Sequence, residues 1–420
     1  MKLARLNHIL IPATKEGRDK ARRSWLVRLA RPFTWFGSVT TREGRGLSLL
    51  IAFMALSGAD VRSTRVYWLW VPLFAVLMVS LAARRWFKLT GVTLSAEAPP
   101  TVTEGEPLEL RLTLVNHGRE ARHAIRIAGP FLPWDGAWLR HAPGVAVLPA
   151  GGRTTRSATA RFIERGDHHL DVFQATQLVP FRLTHGPRVV SEGCRFCVVP
   201  RPARVDLNAL LDRLGTDGAH RDAQTRAGRG GRGDIIGVRA YRAGDPIRDL
   251  HMRTWARTGE PHVREYQAAE SGRSVVVLDA AGERDEPAFE ASIRFAAGVL
   301  SALVERGHTV DLILSSAEHT THGVNKHPDS LALGLAALAR TRPQLQPPAE
   351  LWSRVERELG DDTLALVMIS PSPARAAELD EALRRGHPRG LCVAVTRREG
   401  DSARIREVLV SELEHGEVQL

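Results

Sequence analysis

Between Gly237 and Glu265 the chain gathers the residue types that proton transfer needs. His251 stands among Asp245, Arg248, Arg257 and Glu265. A histidine with carboxylates and guanidinium groups beside it can do general acid–base work, so hydrolysis by an Asp245/Arg248/His251 cluster is one reading. No activated nucleophile accompanies the cluster: neither G-x-S-x-G nor a Cys paired with a His is found. Arginine–carboxylate groupings more often fix geometry through bidentate hydrogen bonds. The expected role is therefore non-catalytic, without a cofactor.

The elements that position these residues follow from local pattern. Ile235 to Tyr241 reads as a strand and Ala243 to Pro246 as a turn. Asp245 is the expected N-cap of a short helix, with Pro246 at its first position. Glu260-Pro261 breaks it, and His262 to Tyr266 reads as extended. On that helix Arg248, His251 and Trp255, at spacings of three and four, share one face. Such a segment reads as a clasp between neighbouring domains that also shapes a partner-binding face.

The run Gly237, Arg239, Tyr241, Gly244, Asp245, Arg248, His251, Ala256, Arg257, Val263, Arg264 and Glu265 resembles the signature of the domain-of-unknown-function-58 (DUF58) family. These are bacterial membrane-associated proteins with a von Willebrand factor A-like domain. Met252 and Trp255 depart from the family pattern, which usually has Trp and a small Ser or Thr there. The resemblance implies partners, a MoxR-type AAA+ ATPase and a membrane transglutaminase-like protein, but no established biochemical activity.

It also implies a place to look for metal. Von Willebrand A domains commonly hold Mg²⁺ through Asp-x-Ser-x-Ser, because a hard cation wants converging carboxylate and hydroxyl oxygens. The matching run here is Asp279-Ala280-Ala281-Gly282-Glu283, and both serine positions are lost. Ile369-Ser370-Pro371-Ser372-Pro373, after a later strand, adds no carboxylate. Asp279 and Glu283 thus read as a degenerate site that binds no metal, with Asp279 capping its own turn.

Charge and hydropathy place the chain. Its formal net charge is +11, yet residues 1–45 hold eleven Lys or Arg against three Asp or Glu. The excess is a basic tail, which argues against a nucleic-acid-binding protein. Leu47–Ala59 and Val66–Ala83 are apolar runs of about 20 and about 27 Å as helices. Tyr67, Trp68, Trp70, Trp86 and Phe87 border the second run, and cations flank the pair on both outer sides. The positive-inside rule then predicts a hairpin in the bacterial inner (cytoplasmic) membrane, bound to lipid, with the soluble domains on the cytoplasmic side. Three cysteines suit a reducing compartment. Cys194 and Cys197 lie three apart in a strand and so point to opposite faces.

The expected fold class is multidomain: an N-terminal transmembrane helical hairpin, an antiparallel β-sandwich, then an α/β von Willebrand factor A-like domain. The boundaries are a basic tail (1–45), the hairpin (46–88), the sandwich (91–200), a connecting segment with the signature (201–270), the α/β domain (271–400) and a C-terminal extension (401–420). Leu108 to Val115 alternates apolar and polar, as a half-buried strand does. Similar runs are Ala124–Ile127, Ser157–Phe162, His169–Phe173 and Arg195–Val199, with His168 and His169 read as surface residues. Pro180-Phe181 and Leu183 resemble the family's Pro-Phe-Gly-Leu turn, with Arg182 in the glycine position. Gly228–Gly233 spells G-x-G-x-x-G without the strand and helix that a phosphate loop needs, so it reads as connecting loop. Beyond Ser271, apolar strands alternate with helical periodicity, which predicts a mostly parallel sheet covered on both faces.

Overall fold

The computed structural model describes residues 31–57, 65–213, 235–242, 245, 247–266, 273–281, 287–315, 320–325, 327–344, 351–359, 363–386, 390–396 and 406–409. The first thirty residues of the basic tail, most of the loop between the apolar runs, the Gly/Arg-rich segment, Gly244, Glu283 and residues 410–420 lie outside them. The chain divides into two compact units, Met1–Val198 and Val199–Leu420.

The first unit opens with helices α1 (Arg31–Val39), α2 (Arg42–Ser57) and α3 (Arg65–Ala83). Helices α2 and α3 pack together, and Ile51 and Leu77 on them are buried. The Trp70 indole donates to the Ile51 carbonyl at 3.0 Å. Their other faces are apolar and bare: Leu49, Phe53, Leu56, Trp68, Val71 and Val79 are each more than half exposed. Large uncovered apolar patches are a feature of surfaces that contact protein or lipid.

Eleven strands follow: β1 (Val92–Glu97), β2 (Thr101–Thr103), β3 (Pro107–Asn116), β4 (Arg122–Ala128), β5 (Gly136–Arg140), β6 (Val145–Leu148), β7 (Arg153–Phe162), β8 (Gly166–Leu170), β9 (Gln174–Gln177), β10 (Val189–Val190) and β11 (Cys194–Val199). They form sheets β1-β3-β7-β5, β10-β9-β4-β6 and β2-β11-β8. Leu108, Leu110, Leu112 and Leu114 alternate into one core with Ile125, Leu148 and Phe162. Two expectations are corrected here. The expected strand His169–Phe173 is Gly166–Leu170 instead, because the Phe173 N–H donates to the Ser191 hydroxyl rather than to a sheet partner. His168 is no surface residue: it pairs with core-facing Phe196 on β11, which turns its ring inward between Phe162 and Phe196.

The sandwich grips the helices at their roots. The Thr41 N–H donates to the Leu183 carbonyl and the His185 N–H to that of Val39, and Thr40 bridges Thr184. The buried Ser80 and Thr184 hydroxyls meet at 2.8 Å. Side chains could not be added at two of the contacts. A Cβ on Gly44 would lie 2.0 Å from the Leu183 oxygen, and one on Gly186 2.0 Å from the Phe87 oxygen.

In the second unit α4 (Leu207–Arg213) precedes the antiparallel pair β12 (Ile235–Ala240) and β13 (His262–Tyr266), with α5 (Met252–Thr258) between them. The remainder alternates: β14 (Arg273–Leu278), α6 (Pro287–Glu305), β15 (Thr309–Leu314), β16 (Thr320–Val324), α7 (Pro328–Arg340), α8 (Leu351–Glu358), β17 (Thr363–Ser370), α9 (Pro373–Gly386), β18 (Gly390–Thr396) and β19 (Arg406–Leu409). Sheet order is β16-β15-β14-β17-β18-β19, parallel except for β16. Val276 and Leu278 face one core with α6 and α7, while Val275 and Val277 face another with α8 and α9. Among the described residues one helix, Pro287–Glu305, is long and apolar enough to cross a membrane by length and composition. It is 72% buried, as the central helix of this unit.

Candidate functional site

The signature segment is organised by one ion pair. The Arg239 guanidinium meets Asp245 side on, Nη1 to Oδ2 and Nη2 to Oδ1, both at 2.8 Å. The Arg242 N–H adds a third bond to Oδ2 at 2.8 Å. Arg239 and then the Arg242 N–H hold the Asp245 carboxyl down at about 2. Pro246, the expected helix start, lies outside the described residues, and the Asp245 oxygens are bonded to Arg239 and the Arg242 N–H. Ile247–Asp249 forms a separate 3-10 turn, and α5 begins at Met252. His251 is its N-cap, where Nδ1 accepts from the Thr254 N–H at 3.2 Å and lies 2.7 Å from the Thr254 hydroxyl. Arg248, His251 and Trp255 therefore do not share one helix. The left-handed Gly259 closes α5, as its N–H donates to the Trp255 carbonyl.

The remaining signature residues border this frame. Arg264 pairs across the ladder with Val238 and is exposed, and Arg257 is exposed in the last turn of α5. Tyr241 follows β12, and its N–H donates to the Pro261 carbonyl. Glu265 pairs with Gly237 in the ladder; its side chain, like that of Arg248, is outside the description. Val238, Tyr241, Ile247, Met252 and Trp255 all present exposed apolar surface. Asp245 is thus held as an ion pair and His251 as a cap, both of them structural tasks.

A second cluster lies at the carboxyl ends of the parallel strands. Asp279, just after β14, is 1% exposed. Its Oδ1 accepts from the Ala281 N–H at 3.3 Å, the turn cap read from the sequence. Two further donors come from adjacent strand ends: the Ser315 hydroxyl after β15, at 3.2 Å, and the Ser370 hydroxyl ending β17, at 3.1 Å to Oδ2. Arg375, in the first turn of α9, brings its Nε to 3.6 Å from Oδ2 and its Nη1 to 3.2 Å from Glu378. Burial pushes the Asp279 carboxyl above its ordinary value, against the opposing Arg375 charge and the hydroxyl bonds.

This arrangement supplies in space what the Asp279–Glu283 run lacks in sequence. Two serine hydroxyls do surround the aspartate, but from other strands. A buried carboxylate with hydroxyls is the donor set of a hard cation, and here a guanidinium provides the positive charge. Ser315 and Arg375 escaped the sequence reading because nothing local distinguishes them. Only the strand order β15-β14-β17 brings them to Asp279.

No family model and no curated protein matches the chain. Among solved structures it is similar to AvmM, which catalyzes macrocyclization in alchivemycin A biosynthesis: 13% identity over 26% of this chain and 88% of that one, TM-score 0.18. The secreted serine protease VesC of Vibrio cholerae gives 12% identity, 32% and 28% coverage and a TM-score of 0.19. The alpha-2-macroglobulin of E. coli gives 14% identity, 71% and 16% coverage and a TM-score of 0.20. At such scores these likenesses carry no argument about fold or function.

Proposed function

We propose that the chain is a membrane-anchored, non-catalytic interaction or assembly protein. The observation that carries this reading is the contrast on α2 and α3. Their outer faces expose Leu49, Phe53, Leu56, Trp68 and Val79, while their roots are stitched to the sandwich by Ser80, Thr184, Thr41 and Leu183. Helices that are apolar outward and polar at one end suit insertion in lipid with a folded domain at the surface. The cations flanking the pair favour an inner-membrane hairpin with both ends cytoplasmic.

The partner side rests on the signature segment and its resemblance to the DUF58 family. Its ion-paired frame displays Val238, Tyr241, Ile247, Met252 and Trp255 beside Arg257 and Arg264, a mixture typical of interaction surfaces. A MoxR-type AAA+ ATPase is the proposed partner, with a transglutaminase-like membrane protein in the same assembly. Carboxyl-terminal reporter fusions, together with co-purification from detergent-solubilised membranes, test both halves. Cytoplasmic reporter activity and recovery of an AAA+ ATPase that Trp255→Asp abolishes are expected. A periplasmic reporter signal would refute the topology, and ATPase recovery unaffected by Trp255→Asp would move recognition away from this segment.

A further inference from the structure

The root of the helical hairpin holds a feature that anchoring alone does not use. An open groove of about 940 Å³ is lined by Thr41, Glu43, Phe87, His123, Arg126 and Arg182, among others. Phe87 lies four residues past the end of α3, beside Trp86, which is 83% exposed. Cationic chemistry and the exit of an apolar helix thus meet in one cavity.

The backbone around the groove is strained. Three non-glycine residues among those described have positive φ: Ala124 (51°), Phe181 (67°) and Arg182 (58°). Ala124 and Arg182 line the groove, and Phe181 is the residue between Pro180 and Arg182 at its rim. Left-handed backbone is strained for a side-chain-bearing residue, so it persists where surrounding contacts impose it. Here the strap is visible. The Thr41 hydroxyl donates to the Arg182 carbonyl at 2.5 Å, and the Thr41 N–H to that of Leu183 at 3.0 Å. The turn thereby displays Phe181, 74% exposed, next to a cation, at the base of α2.

Charge supports an anionic occupant. Arg126 and Arg182 face one lining carboxylate, Glu43, and neither arginine forms an ion pair among the described residues. His185 is held below its ordinary value by burial and then by the nearby Arg126 and Arg45 charges, the sign of a locally positive field. Guanidinium groups match phosphate oxygens in a planar, bidentate manner.

We infer that this groove binds the phosphodiester headgroup of an anionic phospholipid, with Arg126 and Arg182 on the phosphate and Phe181 and Trp86 beside the acyl chains. The inference rests on the membrane-anchored reading. Lipid rather than free phosphate is favoured because the lining includes Glu43, in the first turn of α2, and Phe87, four residues past the end of α3, which sets the groove at the roots of the two apolar helices.

The test uses the full chain in neutral detergent. Short-chain phosphatidylglycerol, phosphatidylcholine and inorganic phosphate are titrated separately while the melting temperature is followed. Parent protein should show a saturable rise with phosphatidylglycerol only. The Arg126→Gln/Arg182→Gly double variant should need about tenfold more lipid, or lose the response, as expected for lost charge-assisted bonds. Glycine relieves the strain at position 182, so a weaker response there cannot be blamed on a less favourable backbone. An equal response in the double variant, or none in the parent, would overturn the inference. The same saturable rise with inorganic phosphate would mean a soluble-anion site and overturn the lipid assignment. Alkaline-washed membranes separate this from the anchor. Release of the parent chain would refute the anchored reading, whereas a retained chain without a phosphatidylglycerol response refutes the headgroup groove alone.

Discussion

Arg375 places its guanidinium Nε 3.6 Å from Oδ2 of Asp279, a carboxylate that two serine hydroxyls from neighbouring strand ends also hold. Positive charge at the carboxyl edge of the sheet is therefore supplied by the chain itself. Mg²⁺ or Mn²⁺ added to the parent protein should leave its melting temperature unchanged. Arg375→Ala should cost about 3–5 kcal/mol, since it leaves a buried carboxylate uncompensated. Mn²⁺ should restore part of that loss, by binding the vacated oxygen set. A saturable metal response in the parent would show that the guanidinium does not exclude the ion.

The same carboxyl sets a pH dependence. Its folded pKa is raised, by burial first, so the folded chain holds this proton more tightly than the unfolded chain. The resulting stabilisation is full below the ordinary carboxylate range and is lost as pH rises through the elevated folded value. Asp279→Asn should flatten that part of the stability–pH curve, measured by denaturant midpoints across acidic pH. A curve of unchanged slope would remove Asp279 as its source.

His168 gives a linkage of the same sign in the sandwich, from a ring held charged rather than a carboxyl held neutral. Its Nε2 lies 2.7 Å from Asp135 Oδ2 and its Nδ1 3.0 Å from the Gly166 carbonyl, so both nitrogens can donate only in the imidazolium form. Burial pushes the ring down, but Asp135, the Gly166 carbonyl and Glu164 together raise it. This contribution is full below about 6.5 and fades as pH rises through the raised folded value. Asp135→Asn should cost about 1.5–3 kcal/mol at pH 6 and less at pH 9. Equal losses at both pH values would argue against a charged histidine.

In the signature segment the Arg239–Asp245 pair should behave as a unit. Arg239→Ala and Asp245→Ala should each loosen the segment, and the double variant should do little more than either, a non-additivity that a mutant cycle reads directly. Because the Asp245 carboxyl is held at about 2, its contribution is present above the ordinary carboxylate range and lost only as pH falls toward that value. His251→Ala removes the cap of α5 and should cost about 1 kcal/mol. Additive losses from Arg239 and Asp245 would mean that each acts through other partners.

Gly44 and Gly186 test the grip of the sandwich on the helices. An added methyl group would collide with a backbone carbonyl at either site, at 2.0 Å. Gly44→Ala and Gly186→Ala should each cost about 1–3 kcal/mol and open the junction to protease. Unchanged melting and unchanged cleavage would show that the helices are not seated there.

Local pattern alone located many elements. Thr309–Leu314 was legible from its apolar run, and the period-two alternation from Leu108 located the core face of β3. Helix α6 was legible because Phe289, Ile293, Ala296, Leu300 and Leu303 recur at helical spacing, and all are buried. Such signals survive in one dimension because each residue's neighbours set its periodic burial. What tertiary structure decided were the partners. Asp279 meets Ser315 and Ser370 across 36 and 91 residues of chain, through a strand order that no local signal encodes. Asp245 had two local uses open to it, capping a helix or binding a guanidinium. The ladder between β12 and β13 decided it by holding Arg239 in reach. His168 faced inward because its cross-strand partner is Phe196. A side chain's chemistry is written in the sequence, but the atom it spends that chemistry on is chosen by the fold.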